Sequence, residues 1–443
     1  MLSPLDDRYW YSLQPLYEYF GENALILRKY QVELDYLAVI QDTPVHIDLM
    51  KEEVDVSRVK EIERGIQHDT KAVEIYIQER LRYYGQNDLI QWVHWGLTSW
   101  DIVSVATTSL LRESILKVLY PKLEVIYEIL KRRVIYHKED VMMGRTHGQP
   151  ATPLTMGNFF SFYATRMERQ KTRLLKNCGN LTVKFGGTVG GLHLHYLFMR
   201  NPDIEYFLDN WILGKYGLTR SRETTQIDAY DSWIEVFQTL GLMGGILLDF
   251  VKNIWNYISL DLLRQKVVER EVGSSVMPHK VNPIHWENAE GNLKWAIGLL
   301  ETLGRELVES RYQRDMSDST LIRNVGVPLG HFYLALCMIE KGLDRIEFNS
   351  LRANEELENH YEVLTEAIQH VLRLHGVENA YEIVKEQSRG EVLTQQAYLS
   401  MIYRLNHLYP QICWDDMMKW SPIDYGKKIM IYNSDERKQE IQK

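Results

Sequence analysis

Long amphipathic stripes dominate the middle of the chain. Between Thr225 and Ile258, apolar side chains recur at intervals of three, four and occasionally seven residues. This spacing places them on one face of an α-helix of about 35 residues. Similar stripes run through 100–119, 121–138, 154–177 and 286–308, whereas few segments alternate with period two. Helices of this length do not fit a compact α/β domain, so the pattern predicts an all-α fold built on an elongated bundle.

Shorter helical patterns flank this central bundle on both sides. Helical periodicity begins near Asn23, and a Gly-Gln-Asn-Asp turn at 85–88 marks a domain boundary. We therefore expect three helical domains: an N-terminal domain over 1–87, a central long-helix bundle over 88–343 and a C-terminal domain over 344–443. The apolar faces of the central helices are too wide for one chain to cover. This predicts oligomerisation through them, with a monomeric bundle as the alternative.

Composition is that of an ordinary soluble globular protein. The 443 residues are 45% apolar and 25% charged, and the formal net charge is −9. That charge argues against a general nucleic-acid-binding surface, so an anionic substrate would need a locally basic pocket. The three cysteines lie far apart and show no disulfide or metal-ligand spacing. No apolar segment follows a basic start, and no run of about 18 apolar residues exists, so we expect a cytoplasmic protein without a membrane span or a metal site.

The stretch from Gly273 to Pro283 is the densest candidate for chemistry. It combines turn-forming residues with two hydroxyls, the apolar Met277 and the cationic Lys280. We expect Asn282 at the N-cap of the next helix and the proline after it at the first helical position, with the positive end of that helix beside Lys280. A Gly-hinged loop of this kind suits an anionic substrate. An ordinary solvated loop between helices is the alternative.

Two further segments place polar side chains just before long helical stripes. His147 lies between Thr146 and Gly148 in a stretch broken by two prolines, which predicts a fixed loop. Histidine changes charge near neutral pH and so suits general acid–base work, although a loop histidine is more often a structural residue. Thr98 and Ser99 precede a predicted helix, where hydroxyls and free N–H groups either bind carboxylates or serve only as caps.

Arginine and hydroxyl side chains are concentrated in the segment 310–323. Ser319 and Arg323 are four residues apart and would share a helix face, with Arg314 nearby. Arginine beside a hydroxyl is a natural phosphate clamp. In the alternative, these arginines only pair with the aspartates of the same segment. A second polar group, between two predicted helices, consists of Arg64, Gln67, His68 and Asp69.

The ten residues from Ser274 to Pro283, SSVMPHKVNP, resemble the signature of the fumarase/aspartase superfamily, whose members eliminate fumarate from succinyl compounds. The MPHKVNP part is similar to the adenylosuccinate lyase family in particular. Further segments resemble that family in the same order over nearly the whole chain, among them SPLDDRY, RTHGQPATP, TTQI and SRYQRDMSDSTLIR. The resemblance implies an all-α, fumarase/aspartase-like fold with a tetrameric helical core. It also implies a C–N lyase that releases fumarate from adenylosuccinate to give AMP.

The resemblance implies roles for individual residues as well. The implied catalytic residues are Ser274 as base, His147 as acid, Glu287 as the carboxylate that orients the acid, Lys280 as a stabilising cation, and His68. The implied substrate-binding residues are Arg8, Tyr9, Arg64, Gln67, Asp69, Thr98, Ser99, Thr146, Gln226, Met277, Asn282, Arg314, Ser319 and Arg323.

The implied active site is shared between subunits of a homotetramer and needs no metal or organic cofactor. Its substrate is a small nucleotide, with no nucleic-acid or membrane partner. The succinyl-aminoimidazole-carboxamide ribonucleotide of purine biosynthesis is expected as a second substrate. The chain departs from the family pattern at Gln67, and at Gly186 and Gly191, where asparagine is expected.

Three alternatives stay open on the sequence. A superfamily member acting on argininosuccinate or aspartate would not need the phosphate clamp, which consists of Arg8, Tyr9, Arg314, Ser319 and Arg323. A homologue acting on another purine or nucleoside succinate is compatible with the departures from the family pattern. A catalytically inactive structural protein is argued against by the retention of Ser274, His147, Lys280 and Glu287.

Overall fold

The computed structural model describes residues 3–41, 49, 53–199, 203–268 and 276–428, so Ser274 lies outside the described residues. Within these ranges the α-helices are α1 (Trp10–Phe20), α2 (Glu22–Gln41), α3 (Val56–Ile66), α4 (Asp69–Tyr83), α5 (Ser99–Ser114), α6 (Tyr120–Tyr136), α7 (Met156–Gly179), α8 (Ile204–Tyr216), α9 (Asp231–Ser259), α10 (Ile284–Glu306), α11 (Ser317–Arg323), α12 (Gly326–Asp344), α13 (Ser350–Glu358), α14 (Thr365–Leu374), α15 (Ala380–Ser388), α16 (Gln395–Leu408) and α17 (Pro422–Gly426). The strands are β1 (Val141–Thr146), β2 (Gln149–Thr155), β3 (Thr182–Lys184), β4 (Thr219–Ser221), β5 (Leu263–Gln265) and β6 (Ile346–Phe348).

Helices form nearly all of the regular structure, which confirms the all-α prediction. The strands in the described ranges make three two-stranded sheets: β1 with β2 and β5 with β6 are antiparallel, and β3 with β4 is parallel. The long stripe from Thr225 becomes helical only at Asp231. Tyr230 precedes it with a φ of 60°, a left-handed conformation that a right-handed helix cannot include.

The chain divides into two compact units. The first unit comprises 1–124, 169–248 and 289–337, and the second comprises 125–168, 249–288 and 338–443. Five helices, α6, α7, α9, α10 and α12, contribute residues to both units. The division into three domains at 87 and 343 stays a prediction.

In the first unit, α2, α3 and α4 bury a compact apolar cluster. Leu34 and Leu37 of α2 pack with Val59 of α3 and with Val73 and Ile77 of α4. All five side chains are almost completely buried. Each fully buried aliphatic side chain contributes about 1.5–3 kcal/mol relative to an exposed one. The cluster therefore fixes the corner at which α3 ends and α4 begins.

In the second unit, aromatic rings join the long helices. Phe159 of α7 stacks on Phe250 of α9 with ring centroids 5.9 Å apart, and Phe250 meets the ring of Trp286 of α10 edge-on at 5.9 Å. Gly342 of α12 lies so close that a Cβ there would be 2.7 Å from the Trp286 indole. Close packing of this kind holds the first turn of α10 in place.

The segment around His147, expected as a fixed loop, is the turn of a β-hairpin. β1 and β2 pair directly, with Thr146 opposite Gln149. The two residues between them, His147 and Gly148, have φ of 54° and 76°. Two successive positive φ angles are typical of a type I′ turn, whose twist matches that of the strands it joins. The hairpin thus fixes the position of the histidine more firmly than a loop would.

The sequence pattern did not reveal this hairpin, since its strands do not alternate and β2 contains two prolines. A two-stranded sheet has only edge strands, where proline need not donate to a ladder. Val141 and Met143 of β1 pack into a buried cluster with Leu364, Ile368 and Tyr398 of the second unit. The hairpin therefore gains its stability from the C-terminal helices rather than from its own pattern.

The start of α10 differs by one residue from the expectation. The carbonyl of Pro283 accepts the N–H of Glu287 at 3.2 Å, and the helix begins at Ile284. Pro283 therefore lies just before the first helical residue instead of at it. The predicted positive helix end close to Lys280 is nevertheless present.

In the described part of the chain, two helical stretches are long and apolar enough to cross a membrane by length and composition alone. They are Asp231–Ser259 and Ser317–Asp344, and 61% and 56% of their most apolar windows are buried inside the protein. Burial of this extent is what core helices of globular proteins show, so these stretches are weak indications of a span.

Candidate active site

One cavity in the first unit brings together nine of the predicted site residues. Its volume is about 440 Å³, within the usual range for ligand pockets. The predicted residues in its wall are Gln67, His68, Asp69, Thr98, Ser99, Gln226, Arg314, Ser319 and Arg323. They come from four separate stretches of the chain. The fold therefore gathers hydroxyls, guanidinium groups and an imidazole around one space.

The corner between α3 and α4 supplies three of these residues. Gln67 adopts a left-handed conformation, with φ of 57°, and its side-chain amide donates to the carbonyl of Arg64 at 2.8 Å. His68 caps α4, because its Nδ1 accepts the N–H of Lys71 at 3.2 Å. An Nδ1 that accepts leaves the proton of the neutral ring on Nε2, so His68 offers the cavity a donor. Arg64 is exposed and donates to the Lys60 carbonyl instead of lining the cavity.

The start of α5 supplies Thr98 and Ser99. Thr98 is the N-cap of α5, so the cap alternative is correct for its hydroxyl: the Thr98 side chain accepts the N–H of Asp101 in a capping box, and the carboxylate of Asp101 takes the N–H of Thr98 at 2.7 Å. The same carboxylate accepts the N–H of Gly186 at 2.7 Å and pairs with the ammonium group of Lys184 at 2.6 Å. Burial lowers the pKa of Lys184, although the Asp101 charge opposes that change.

The segment 310–323 forms the opposite wall. Ser319 and Arg323 lie four residues apart on α11 and both reach the cavity, as the spacing predicted. The alternative of local pairing is correct for Arg314, whose NH1 lies 2.6 Å from the Asp318 carboxylate. It is wrong for Arg323, which pairs across the cavity with Asp69 at 3.1 Å.

A buried lysine that the sequence pattern did not single out completes this wall. The ammonium group of Lys29, on α2, lies 2.7 Å from the same Asp69 carboxylate, and the side chain is 2% exposed. Burial alone would raise the pKa of Asp69, but the charges of Lys29 and Arg323 outweigh it and hold that pKa at about 2. Lys29 lies among other polar residues of α2, so its local sequence gave no signal of this partner.

His94, a second residue that was not singled out, lies between two buried carboxylates just upstream of Thr98. Its Nδ1 is 2.6 Å from Oε1 of Glu33, and its Nε2 is 3.6 Å from Oε1 of Glu74. Burial opposes the charged ring, but the carboxylates raise the pKa of His94 above its ordinary value. The φ of 60° at His94 is uncommon for a residue other than glycine, and this clamp holds the turn in that conformation.

The same three residues are the metal-ligand candidate within the described ranges, since their donor atoms all lie within 4.8 Å of one another. The two ring nitrogens of His94, however, face different carboxylates. A metal ion takes one nitrogen of a histidine and would need both carboxylates on that side of the ring. The arrangement fits an imidazolium shared by Glu33 and Glu74 better than a metal centre.

The remaining catalytic candidates lie in the second unit. Thr146 and His147 are exposed at the hairpin tip, and Met277 and Lys280 are also exposed. Glu287, in the first turn of α10, accepts the indole N–H of Trp255 at 3.2 Å. Within the described part of one chain, Glu287 makes no hydrogen bond to His147. Asn282 is partly buried beside the start of α10.

Arg8 and Tyr9 lie near the N-terminus of the first unit and are outside the wall of the cavity. The Arg8 guanidinium is 5.8 Å from the centre of the Tyr9 ring. Their predicted contact with a phosphate stays a prediction.

Both glycine departures from the expected pattern occur where space is short. A Cβ on Gly186 would lie 2.4 Å from the carbonyl oxygen of Gly190, and a Cβ on Gly191 would lie 2.5 Å from the ring of His193. An asparagine at either position would force these neighbours to move. The glycine-rich segment is therefore packed more tightly than the expected asparagines would allow.

Two family models match this chain. A model described as lyase matches residues 37–298, and a model described as adenylosuccinate lyase C-terminal matches residues 310–425. The matched ranges include the nine predicted residues of the cavity wall, the hairpin and the start of α10.

Several curated relatives align over most of their length. An adenylosuccinate lyase from Dictyostelium discoideum is 39% identical over 409 residues, which is 88% of this chain and 88% of the relative. An adenylosuccinate lyase from Escherichia coli K12 is 35% identical over 407 residues, covering 88% of this chain and 89% of the relative. One from Legionella pneumophila strain Philadelphia 1 is 34% identical over 441 residues and covers 96% of both chains.

Two solved structures share the fold at 18% sequence identity. The crystal structure of a fumarate lyase from Mesorhizobium sp. BNC1 matches with a TM-score of 0.75, covering 94% of this chain and 95% of its own. The 3-carboxy-cis,cis-muconate lactonizing enzyme from Pseudomonas putida matches with a TM-score of 0.78 over 100% of both chains. At this identity, the likeness establishes the all-α fold.

Proposed function

This chain belongs to the adenylosuccinate lyase family, and from that premise we propose how its residues divide the reaction. The chain is a fumarate-releasing C–N lyase that converts adenylosuccinate to AMP and fumarate. The reaction is a β-elimination: a base removes the proton beside a carboxylate, the C–N bond breaks, and an acid protonates the departing nitrogen. The hardest species to stabilise is the dianionic intermediate formed after proton loss.

The cavity in the first unit is the proposed nucleotide site, and its mixed wall is the observation that carries the proposal. Thr98 and Ser99, at the start of α5, would bind the succinyl carboxylates through their hydroxyls and through N–H groups of the first helical turn. Arg314, Ser319 and Arg323 would bind the phosphate and ribose, since guanidinium groups bind phosphate in two-pronged fashion. Arg8 and Tyr9 would add contacts to the same phosphate.

The corner between α3 and α4 would face the purine and the leaving nitrogen. His68 presents its Nε2 proton, because Nδ1 is occupied by the Lys71 N–H, and a donor there would stabilise negative charge on the leaving group. Gln67, Asp69 and Gln226 would orient the purine ring. Arg64 would support the corner through its carbonyl, which accepts from Gln67.

The proton transfers are proposed for residues of the second unit and the loop before α10. Ser274 would be the base and His147 the acid, with Glu287 orienting the acid. Lys280, Asn282 and Met277 would surround the carboxylate next to the departing proton, beside the positive end of α10. Thr146 would place its hydroxyl next to the acid.

These stretches would meet the cavity in a homotetramer in which neighbouring subunits complete each site. The cavity is lined by residues of one unit only and includes neither His147 nor Lys280 nor Glu287. The long helices also carry exposed apolar side chains, such as Leu242 and Trp295, which would be covered by other copies. We further propose a cytoplasmic enzyme that also accepts the succinyl-aminoimidazole-carboxamide ribonucleotide.

The test is an assay of the purified protein with adenylosuccinate, in which AMP and fumarate are separated by chromatography. Ser274→Ala should abolish turnover and retain substrate binding, while the matched control Ser275→Ala should keep most of the activity. Turnover that survives in Ser274→Ala would remove the serine from its role as base. A folded wild-type protein without turnover would overturn the substrate, and argininosuccinate and other purine succinates would be assayed next.

A further inference from the structure

The guanidinium group of Arg314 lies over the ring of an aromatic residue that also lines the cavity. Its Cζ is 3.9 Å from the centre of the Trp100 ring system, well inside the range of a cation–π contact. Both residues line the cavity. Trp100 follows Ser99 and precedes Asp101, so the ring is carried by the same helix start that presents the two hydroxyls.

A second contact fixes one edge of the same guanidinium. NH1 of Arg314 donates to Oδ1 of Asp318 at 2.6 Å, and the Tyr230 hydroxyl donates to the other oxygen of that carboxylate at 2.8 Å. Burial and the neighbouring carboxylate raise the pKa of Tyr230 well above its ordinary value, so the phenol keeps its proton and remains a donor. Asp318 is 4% exposed and therefore cannot follow a moving arginine.

One face and one edge of the guanidinium are thus held, while other donors stay available. Arginine carries five N–H donors in a rigid plane. Within the described contacts, Arg314 uses NH1 for Asp318, and NH2 makes a longer contact of 3.3 Å with the sulfur of Met316. The remaining N–H groups can meet an anion in the cavity.

Trp100 is buried without satisfying its own polar group. The side chain is 8% exposed, and its indole N–H has no hydrogen-bond partner among the described residues. A buried unpaired donor is costly, and a smaller apolar residue would avoid the cost. An aliphatic side chain could not make the cation–π contact that the indole ring makes with Arg314. This contact is what the tryptophan adds at this position.

We propose that Trp100 is a positioning residue that fixes the plane of Arg314 and thereby sets the affinity of the cavity for the anionic group of its nucleotide. The inference rests on the proposed nucleotide site. Arg314 would grip the same phosphate in the substrate and in the transition state. Loss of its positioning should therefore raise KM and leave kcat nearly unchanged.

The experiment compares Trp100→Leu and Trp100→Phe by calorimetric titration with AMP and by steady-state kinetics with adenylosuccinate. The leucine removes the ring face and should weaken AMP binding about tenfold, while the phenylalanine keeps a smaller face and should lose about threefold or less. KM should rise in parallel with the dissociation constant of AMP. Circular dichroism and thermal unfolding report whether each variant is folded, and Trp100→Phe remains informative if the leucine variant is not.

A double-mutant cycle separates positioning from a general structural effect. In an Arg314→Gln background, Trp100→Leu should add little further loss of AMP affinity, since the group that it positions is gone. Tyr381→Leu is the matched control: it removes an exposed ring 5.6 Å from the ammonium group of Lys385, far along the chain from the cavity residues, and should leave AMP binding unchanged.

Two outcomes overturn the proposal in distinguishable ways. Wild-type affinity for AMP in Trp100→Leu, or losses that simply add in the double variant, would remove the positioning role and leave the nucleotide site standing. A folded wild-type protein that binds no AMP would overturn the proposed nucleotide site, and the role of Trp100 with it.

Discussion

The carboxylate of Asp101 lies 2.6 Å from the ammonium group of Lys184, and both side chains are fully buried. The same carboxylate accepts the backbone N–H groups of Thr98 and Gly186, each at 2.7 Å. One buried charge therefore joins the start of α5, which carries two proposed substrate hydroxyls, to the glycine-rich segment. This ion pair therefore holds the start of α5, and with it part of the cavity wall, in place, although neither charged side chain lines the cavity.

Removing either partner of this pair should destabilise the first unit strongly. Lys184→Met leaves Asp101 as an uncompensated buried charge, which costs about 3–5 kcal/mol. Asp101→Asn likewise leaves Lys184 as an uncompensated buried charge, and it removes one of the two carboxylate oxygens that accept backbone N–H groups. The free energy of unfolding, measured by urea denaturation, should fall in both single variants. The double variant should lose less than the sum of the two, whereas strict additivity would contradict a direct pair.

Lys29 should influence nucleotide affinity through Asp69. In Lys29→Met, the Asp69 carboxylate keeps Arg323 as its partner, so this arginine is drawn away from the anion that it would bind. KM for adenylosuccinate should rise about tenfold, with a smaller change in kcat, because one charge-assisted contact is worth about 1.5–3 kcal/mol. Lys60→Met removes a lysine of the neighbouring α3 whose ammonium group donates to Asn23, and this variant serves as the control. Equal KM values in the two variants would contradict the linkage.

The hairpin turn separates a geometric role of His147 from a chemical one. Asparagine tolerates the left-handed conformation, so His147→Asn should keep the type I′ turn and lose the proposed acid, with kcat falling by about 100-fold or more. Gly148→Val places a β-branched residue at a φ of 76° and should lower the thermal stability instead. A His147→Asn variant with wild-type kcat would rule out the histidine as the acid.

His195 should make the fold sensitive to mild acid. Burial lowers the pKa of His195 to about 4, so the folded protein keeps this ring neutral while the unfolded chain takes up a proton near pH 6.5. The contribution of His195 to the free energy of unfolding is fully present above about pH 6.5. It is lost as the pH drops from about 6.5 to 4, by up to about 3 kcal/mol. Below pH 4 both states bind the proton, and no further loss arises from this group.

The measurement is the urea midpoint as a function of pH for the wild type and for His195→Gln. Glutamine has no proton to gain and can still hydrogen-bond the Tyr36 hydroxyl, which lies 2.7 Å from Nε2 of the histidine. The variant curve should be flatter between pH 6.5 and 4. Parallel curves for the two proteins would assign the acid sensitivity to other groups.

Subunit sharing predicts complementation between inactive variants. If His147 and Ser274 reach one site from different chains, mixed tetramers of His147→Gln and Ser274→Ala contain some sites with both native residues. Random exchange of equal amounts should recover about a quarter of the wild-type activity. Each variant alone should stay inactive under the same exchange conditions. No recovery, despite exchange demonstrated with labelled subunits, would place both residues of each site on one chain.

Much of the fold could be predicted from the chain because helical periodicity is a local property. The stripes at 121–138, 154–177 and 286–308 correspond to α6, α7 and α10 within two residues at each end. The hairpin was missed because its stability comes from distant helices that pack on Val141 and Met143. The start of α10 lies one residue after the expected position, since Pro283 precedes the first helical residue and its carbonyl accepts the N–H of Glu287.

The sequence by itself determined the helical class, the family and the segments proposed to carry the chemistry, since each is encoded within a short stretch of neighbouring residues. Only the tertiary structure decided the partners: Lys29 and Arg323 at Asp69, Glu33 and Glu74 around His94, and Trp100 under Arg314. These pairs join residues far apart in sequence. Which charged or aromatic side chains come into contact depends on which helix faces pack together. The periodicity along one helix does not specify which face of another helix packs against it.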